Sequence, residues 1–335
     1  MESGQKDQTG LDEVTRQRFV TLKIGVVGAG AIGGFLTAYL SEAGCDIRVL
    51  ARAQTRDAIR KNGLHLFTKG RQIIARPAVV SDDASEIGPV DLILFTVKGQ
   101  DTAAAAEMMR PMVGDDTKIL SFQNGLFGVE MLAQMFGASR ILAGVTYVPA
   151  VVQERGIVRH TGAVNRFVFG PFDGAETPCP VNVAFAAKGR DAGLDMVLLD
   201  QPMPEIWAKF VMLTPFHLVS CMTRLSLGGW IDVVETREMY RRAMQEVADV
   251  AAACGVALAD DLVARNLLFS TETADRGTRA SMLDDLERGR PLELDATVGW
   301  LIKTARRLSI ETPIHDIGYA MLKPHVGALD QEVGA

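Results

Sequence analysis

Three groups of residues in this chain have types and spacings that chemistry can use. The first is Gly28-Ala29-Gly30-Ala31-Ile32-Gly33, set between an apolar run at 22–27 and a helix-like run at 35–43. In that order Gly28 permits a tight strand-to-helix turn, Gly30 lets a pyrophosphate approach the backbone, and Gly33 lets the helix lie close on the strand. The helix start adds N–H donors and a positive dipole end, so Ala29, Ala31 and Ile32 complete a phosphate cradle. A tight turn without a ligand would leave three glycines unexplained at the start of a helix that disfavours them. The second group is Lys98 and Asn124, each placed just after a strand-like run. Ligands of an open α/β sheet collect there, although a loop residue capping the next helix has the same position. The third is Lys209, inside the apolar stretch Trp207-Ala208-Lys209-Phe210-Val211. Burying a lysine is costly unless it is paired or neutral, which suits a proton donor; a snorkelling surface lysine fits the periodicity equally.

The elements that must position these groups follow from periodicity. Residues 46–50 form a second strand, followed by Ala51-Arg52. An NAD site places an acid near the end of this strand for the ribose 2′-hydroxyl, whereas a 2′-phosphate is repelled by an acid and wants arginine. The position carries no acid and offers Arg52, with Arg56 as a second candidate, so NADPH is the expected cofactor; a solvated loop charge is the other reading of Arg52. Residues 63–80 alternate around Lys69-Gly70-Arg71 as a hairpin insertion. Runs at 91–97 and 118–122 are continuously apolar, as parallel strands covered on both faces are, and 141–146 closes the series. Residues 147–200 read mainly as strands with one helical piece near 180–193. From Pro204 onward the signal is helical, with apolar residues at three and four spacing over 235–254 and 294–308.

The expected architecture is therefore an α/β fold, a Rossmann-type parallel sheet domain followed by an all-helical C-terminal domain. The boundaries expected are a flexible tail at 1–20, a nucleotide-binding domain at 21–200 and a helical substrate domain at 201–328. With 335 residues, a net charge of −6 and 48% hydrophobic residues, the chain has no electrostatic reason to bind nucleic acid or an anionic membrane. The first 20 residues lack the apolar core of a signal peptide, and runs such as 92–97 are too short to span a bilayer. Cys45, Cys179, Cys221 and Cys254 have no metal-ligand spacing, so no metal is expected. A soluble cytoplasmic protein, with an apolar helical domain compatible with a homodimer, fits this composition.

Hydride transfer from a nicotinamide to a carbonyl needs a proton donor near the developing alkoxide, and the first half offers no evident acid beyond Lys98. The donor is expected from the second half.

Five motifs in order, Gly28-Ala29-Gly30-Ala31-Ile32-Gly33-Gly34, Thr96-Val97-Lys98, Gln123-Asn124-Gly125, Trp207-Ala208-Lys209, and Ser281-Met282-Leu283-Asp284-Asp285 leading into Leu292-Glu293-Leu294-Asp295, make the chain resemble the ketopantoate reductases (2-dehydropantoate 2-reductases). The resemblance runs from about Leu22 to Met321. It implies NADPH-dependent reduction of a 2-oxo acid to a 2-hydroxy acid, the step that makes pantoate for coenzyme A. By position Lys209 matches the general acid, and Glu293 its acidic partner, which also binds substrate. Asn124, Ser281 and His217 fall at substrate-facing positions. Lys98 and Asn124 match cofactor contacts, and Arg52 the 2′-phosphate contact. Read without the resemblance, Ser281 is a candidate N-cap, Glu293 a first-turn acid, and His217 a core residue.

One departure stands out. Four and eight residues beyond the lysine the family usually has asparagines, whereas this chain has Leu213 and His217. Leucine cannot replace an amide that bonds substrate oxygens, so the hydride and proton machinery is expected to be retained with an altered side-chain pocket. Pro215 is expected to kink the same helix. The rival readings are an opine-type or other 2-oxo acid dehydrogenase, and an NADPH sensor without turnover.

Overall fold

A computed structural model describes residues 21–174 and 179–326. The tail expected at 1–20 lies outside the described residues. Among the described residues two compact units emerge: one comprises residues 21–97 together with Asp101–Gln123 and Val129–Pro202, the other Lys98–Gln100, Asn124–Gly128 and residues 203–326.

The first unit is built on an eight-stranded sheet. Its strands are β1 (Lys23–Val27), β2 (Asp46–Leu50), β5 (Val79–Ser81), β6 (Val90–Phe95), β7 (Val113–Ser121), β8 (Ile141–Thr146), β11 (Arg166–Pro171) and β12 (Asp195–Leu198). The spatial order is β12-β11-β8-β7-β6-β1-β2-β5. The pairing is parallel throughout except between β8 and β11, where Val145 faces Val168 in antiparallel register. The sheet thus continues past 141–146 with β11 and β12, which form its edge within the stretch 147–200 expected mainly as strands. The hairpin expected at 63–80 is present as β3 (Leu64–Thr68) and β4 (Arg71–Ala75). It joins a second, four-stranded sheet, because β3 pairs in parallel with β10 (Ile157–His160), which pairs in turn with β9 (Ala150–Glu154).

Helix α1 (Ala31–Glu42) is buried at every position from Gly33 to Leu40. It packs against β1 and β2 of the large sheet and against β3, β4, β9 and β10 of the small one. A helix covered on both sides has no polar face to keep, which is why it reads as apolar all round. Phe35 on α1 meets Phe167 of β11 and His160 of β10 at centroid distances of 5.9 and 5.1 Å.

Among the described residues the second unit has helices and no strands beyond Met203. Its central element is α2 (Met203–Thr223), packed against α3 (Val234–Ala253), α4 (Ser281–Glu287) and α5 (Pro313–Leu322). At 21 residues and mean hydropathy 1.2, α2 is long and apolar enough to cross a membrane by length and composition, but 61% of that window is buried inside the protein. It is a core helix, and the expectation that apolar runs here are all short missed it because Glu205, Lys209 and His217 break the run. Pro215 sits within α2 without ending it. The run at 294–308 is not one α-helix: a π turn, Asp295–Gly299, precedes the α-helix Trp300–Arg307.

Candidate active site

Each unit holds its own cluster of the expected residues. In the first, Gly28 follows β1 with φ of 94°, a conformation that side chains disfavour. A Cβ on Gly33 would lie 2.1 Å from the Gly28 carbonyl oxygen and 2.5 Å from Thr96 Oγ1, so helix and turn touch backbone to backbone. Around Gly30 the opposite holds: a Cβ there would meet nothing within 4 Å. Gly30 is the N-cap of α1, offers no side-chain cap to the first N–H groups, and no acid stands in the first turn. Open space, donors without a side-chain partner and the absence of a repelling carboxylate suit a pyrophosphate. Thr96, just past β6, holds the turn by donating to Gly28 O at 2.7 Å. The sequence motif Thr96-Val97-Lys98 contained this buttress, but a threonine at a strand end carries no signal of its target.

Arg52 directly precedes the helix Ala53–Asn62 as its N-cap. It is 79% exposed, with Nη2 2.8 Å from Asp101 Oδ1. Arg56, the second candidate, is held by Asp57 at 2.8 Å and by Asp82. Of the two, Arg52 has the more accessible guanidinium, and Asp101 is a neighbour that sequence reasoning did not anticipate.

The second unit gathers Lys98, Asn124, Lys209, Glu293, Ser281 and His217. Lys209 Nζ donates to Asn124 Oδ1 at 3.1 Å. Partial burial on α2 drives its pKa down from 10.5 to about 8, with the Glu293 carboxylate opposing the fall. Glu293 moves the other way: desolvation raises its pKa, against a hydrogen bond from the Gly99 N–H and the positive charges of Lys98 and Lys209. The Gly99 N–H reaches Glu293 Oε1 at 2.8 Å. A Cβ on Gly99 would sit 2.4 Å from Ala296 Cβ, so only glycine allows this approach. Glu293 precedes the π turn and serves it as neither cap nor first-turn acid, since Leu294 is the N-cap.

Lys98 pairs with Asp285, whose carboxylate side chain is only 10% exposed. Asp285 lay inside the quoted Ser281-to-Asp285 motif, yet a single acid on a helix gives no sign of a partner 187 residues away. Ser281 is the first residue of α4, with Ala280 as N-cap, so the reading of Ser281 as the cap is corrected. Its Oγ lies 3.5 Å from Nε2 of His217, the long end of hydrogen bonding. His217 is 4% exposed, and burial, reinforced by the Lys209 ammonium, lowers its pKa to about 4. It is neutral at physiological pH. An aromatic group of Trp207, Phe210 and Trp300, with centroids 5.7 and 5.8 Å apart, packs beside Lys209 along the chain and keeps α2 in place.

The second cluster thus holds a cation of lowered proton affinity, an acid of raised affinity, an amide oxygen and a neutral imidazole. Such a set can donate a proton and orient a carboxylate.

Comparison with known proteins gives consistent matches. Residues 24–174 match the family model described as Ketopantoate reductase PanE/ApbA, and residues 202–326 its C-terminal counterpart. A 2-dehydropantoate 2-reductase of Mesorhizobium japonicum is 30% identical over 324 residues, covering 90% of this chain and 97% of the relative. The crystal structure of 2-dehydropantoate 2-reductase from Geobacter metallireducens superposes with a TM-score of 0.83 at 32% identity, covering 90% of this chain and 99% of that one. A ternary structure of D-mandelate dehydrogenase with NADH and anilino(oxo)acetate shares the fold at 21% identity, with a TM-score of 0.82 and coverage of 92% and 100%.

Proposed function

This chain is an oxidoreductase that belongs to the ketopantoate reductase family, and from that premise we propose that it reduces a 2-oxo acid to the 2-hydroxy acid with NADPH, Lys209 supplying the proton. The observation that carries this reading is the Lys209 ammonium, held at 3.1 Å by Asn124 on a partly buried helix face and flanked by Glu293. When bound, the reduced nicotinamide supplies the hydride that becomes the C2 hydrogen of the product. The Lys209 ammonium hydrogen-bonds the ketone oxygen and gives it a proton as that oxygen gains negative charge. Asn124, accepting from Lys209, aims the ammonium. Glu293 keeps the lysine charged at neutral pH and is in turn fixed by the Gly99 N–H. Ser281 and His217 offer a hydroxyl and a neutral imidazole to the substrate carboxylate. In the other unit, residues 28–33 cradle the pyrophosphate and Arg52 takes the 2′-phosphate, a preference for which the absence of an acid after β2 speaks. Pantoate, the product that makes 2-dehydropantoate the reference substrate, follows from the relatives' names.

The test is NADPH oxidation with 2-dehydropantoate and a panel of 2-oxo acids, in the wild type and in Lys209→Ala. Removing a general acid costs about 10²- to 10⁴-fold in kcat. Loss in that range with NADPH affinity within about twofold supports the reading; wild-type turnover in the variant assigns the acid wrongly. Tight NADPH binding with no oxidation by any member of the panel indicates a sensor.

A further inference from the structure

Around the middle of α2 the side chains that remain partly open are Glu205, Ala208, Lys209, Met212, Leu213 and Phe216. Their spacing of three and four makes them one stripe, while Ile206, Trp207, Phe210, Val211, Thr214 and Pro215 are buried between them. Past the Lys209 ammonium, every side chain on the stripe is hydrocarbon or thioether. His217 stands one further turn along, close enough for the Lys209 charge to act on it.

We propose that the side chain of the preferred 2-oxo acid is apolar and unhydroxylated, and that Leu213, one turn beyond Lys209 on α2, is the residue that selects it. The inference rests on the proposed reaction and on Lys209 as its acid. A substrate whose ketone oxygen takes the Lys209 hydrogen bond and whose side chain extends along the open stripe meets Leu213 and then Met212; Phe216 beyond them packs against Trp230, 6.0 Å between ring centroids. None of these side chains donates or accepts a conventional hydrogen bond. The one polar group further along, His217, is buried and already within 3.5 Å of Ser281. A side-chain hydroxyl would lose its water here without a protein partner in exchange, while methyl groups gain from the same surface.

The matched pair for the test is 2-dehydropantoate and 3,3-dimethyl-2-oxobutanoate, which has hydrogen in place of the 4-hydroxyl and is otherwise identical. An apolar pocket rejects an added hydroxyl by about 10- to 100-fold, whereas a pocket built to bond it rejects the analogue lacking it by about 10⁴-fold. The wild type is expected to show the higher kcat/KM with 3,3-dimethyl-2-oxobutanoate; a higher value with 2-dehydropantoate overturns the inference and leaves the proposed reaction standing. Leu213→Asn is expected to move the ratio at least about tenfold toward 2-dehydropantoate. Its melting temperature and NADPH Kd, measured alongside, establish that the variant is folded. A folded variant with an unchanged ratio refutes Leu213 as the selector. If neither acid nor any other in the panel oxidises NADPH, the proposed reaction itself fails.

Discussion

Lys209 ties electrostatics to rate, and its titration is open to direct measurement. Its pKa lies near 8 where an ordinary lysine has 10.5. At about 1.4 kcal/mol per tenfold change in proton affinity, the folded protein disfavours the ammonium by about 3 kcal/mol, an order of magnitude set mainly by desolvation. The sign follows. In the proposed reaction the proton donor is the ammonium, so kcat/KM for NADPH oxidation is expected to be highest below pH 8 and to fall as pH rises through it. At pH 9 about one tenth of a group with this pKa remains protonated, against nearly all of an unperturbed lysine. Stability responds in the opposite sense. Between pH 8 and 10.5 the unfolded chain binds this proton and the folded one does not, so the lysine's destabilising contribution shrinks as pH rises across that window. Glu293 opposes the fall of the lysine pKa, so Glu293→Gln should move the alkaline limb of the rate profile to lower pH. Steady-state profiles from pH 6 to 10 with saturating NADPH, for wild type and Glu293→Gln, provide the measurement. An alkaline limb near 10.5, or one that moves upward in Glu293→Gln, refutes the assignment of both residues.

Two further predictions concern the nucleotide. Arg52→Ala should weaken NADPH about 10- to 100-fold while leaving NADH within about threefold, as loss of a charge-assisted phosphate contact does, and Asp101→Asn should tighten NADPH at low salt by releasing the guanidinium; fluorescence titration of both cofactors at about 20 mM and about 500 mM salt, where the Debye lengths differ about fivefold, checks both, and unchanged affinities in both variants remove Arg52 from the phosphate site. Gly33→Ala places a Cβ 2.1 Å from the Gly28 oxygen, so it should lower the melting temperature by at least about 2 °C and abolish NADPH binding, and a variant that binds like the wild type would show that helix and turn need no such contact.

Much of the first unit was legible because a parallel strand covered on both faces writes itself as an uninterrupted apolar run, and the ends of two such runs pointed to Lys98 and Asn124, which belong to the second unit. What escaped depends on partners remote in sequence. The second sheet exists because His65 of β3 registers with Ile157 of β10, and neither strand alone specifies which edge it will join. The antiparallel entry of β11 beside β8 is likewise a property of the chain's return path, not of the residues in β11. In the second unit periodicity identified the helices but not the π turn after Glu293, where the Leu294 carbonyl accepts from Gly299 five residues on. The status of Lys209 was undecidable from spacing alone, since an amphipathic stripe and a snorkelling lysine have the same period. Packing decides it. Trp207 and Phe210 on either side are buried to 1%, so the ammonium on the stripe between them is partly stripped of water. The same packing brings the Asn124 amide oxygen to 3.1 Å from it. A lysine free to snorkel into bulk water would keep its ordinary proton affinity; the depressed pKa is therefore the physical difference between the two readings, and the pH profile measures it directly.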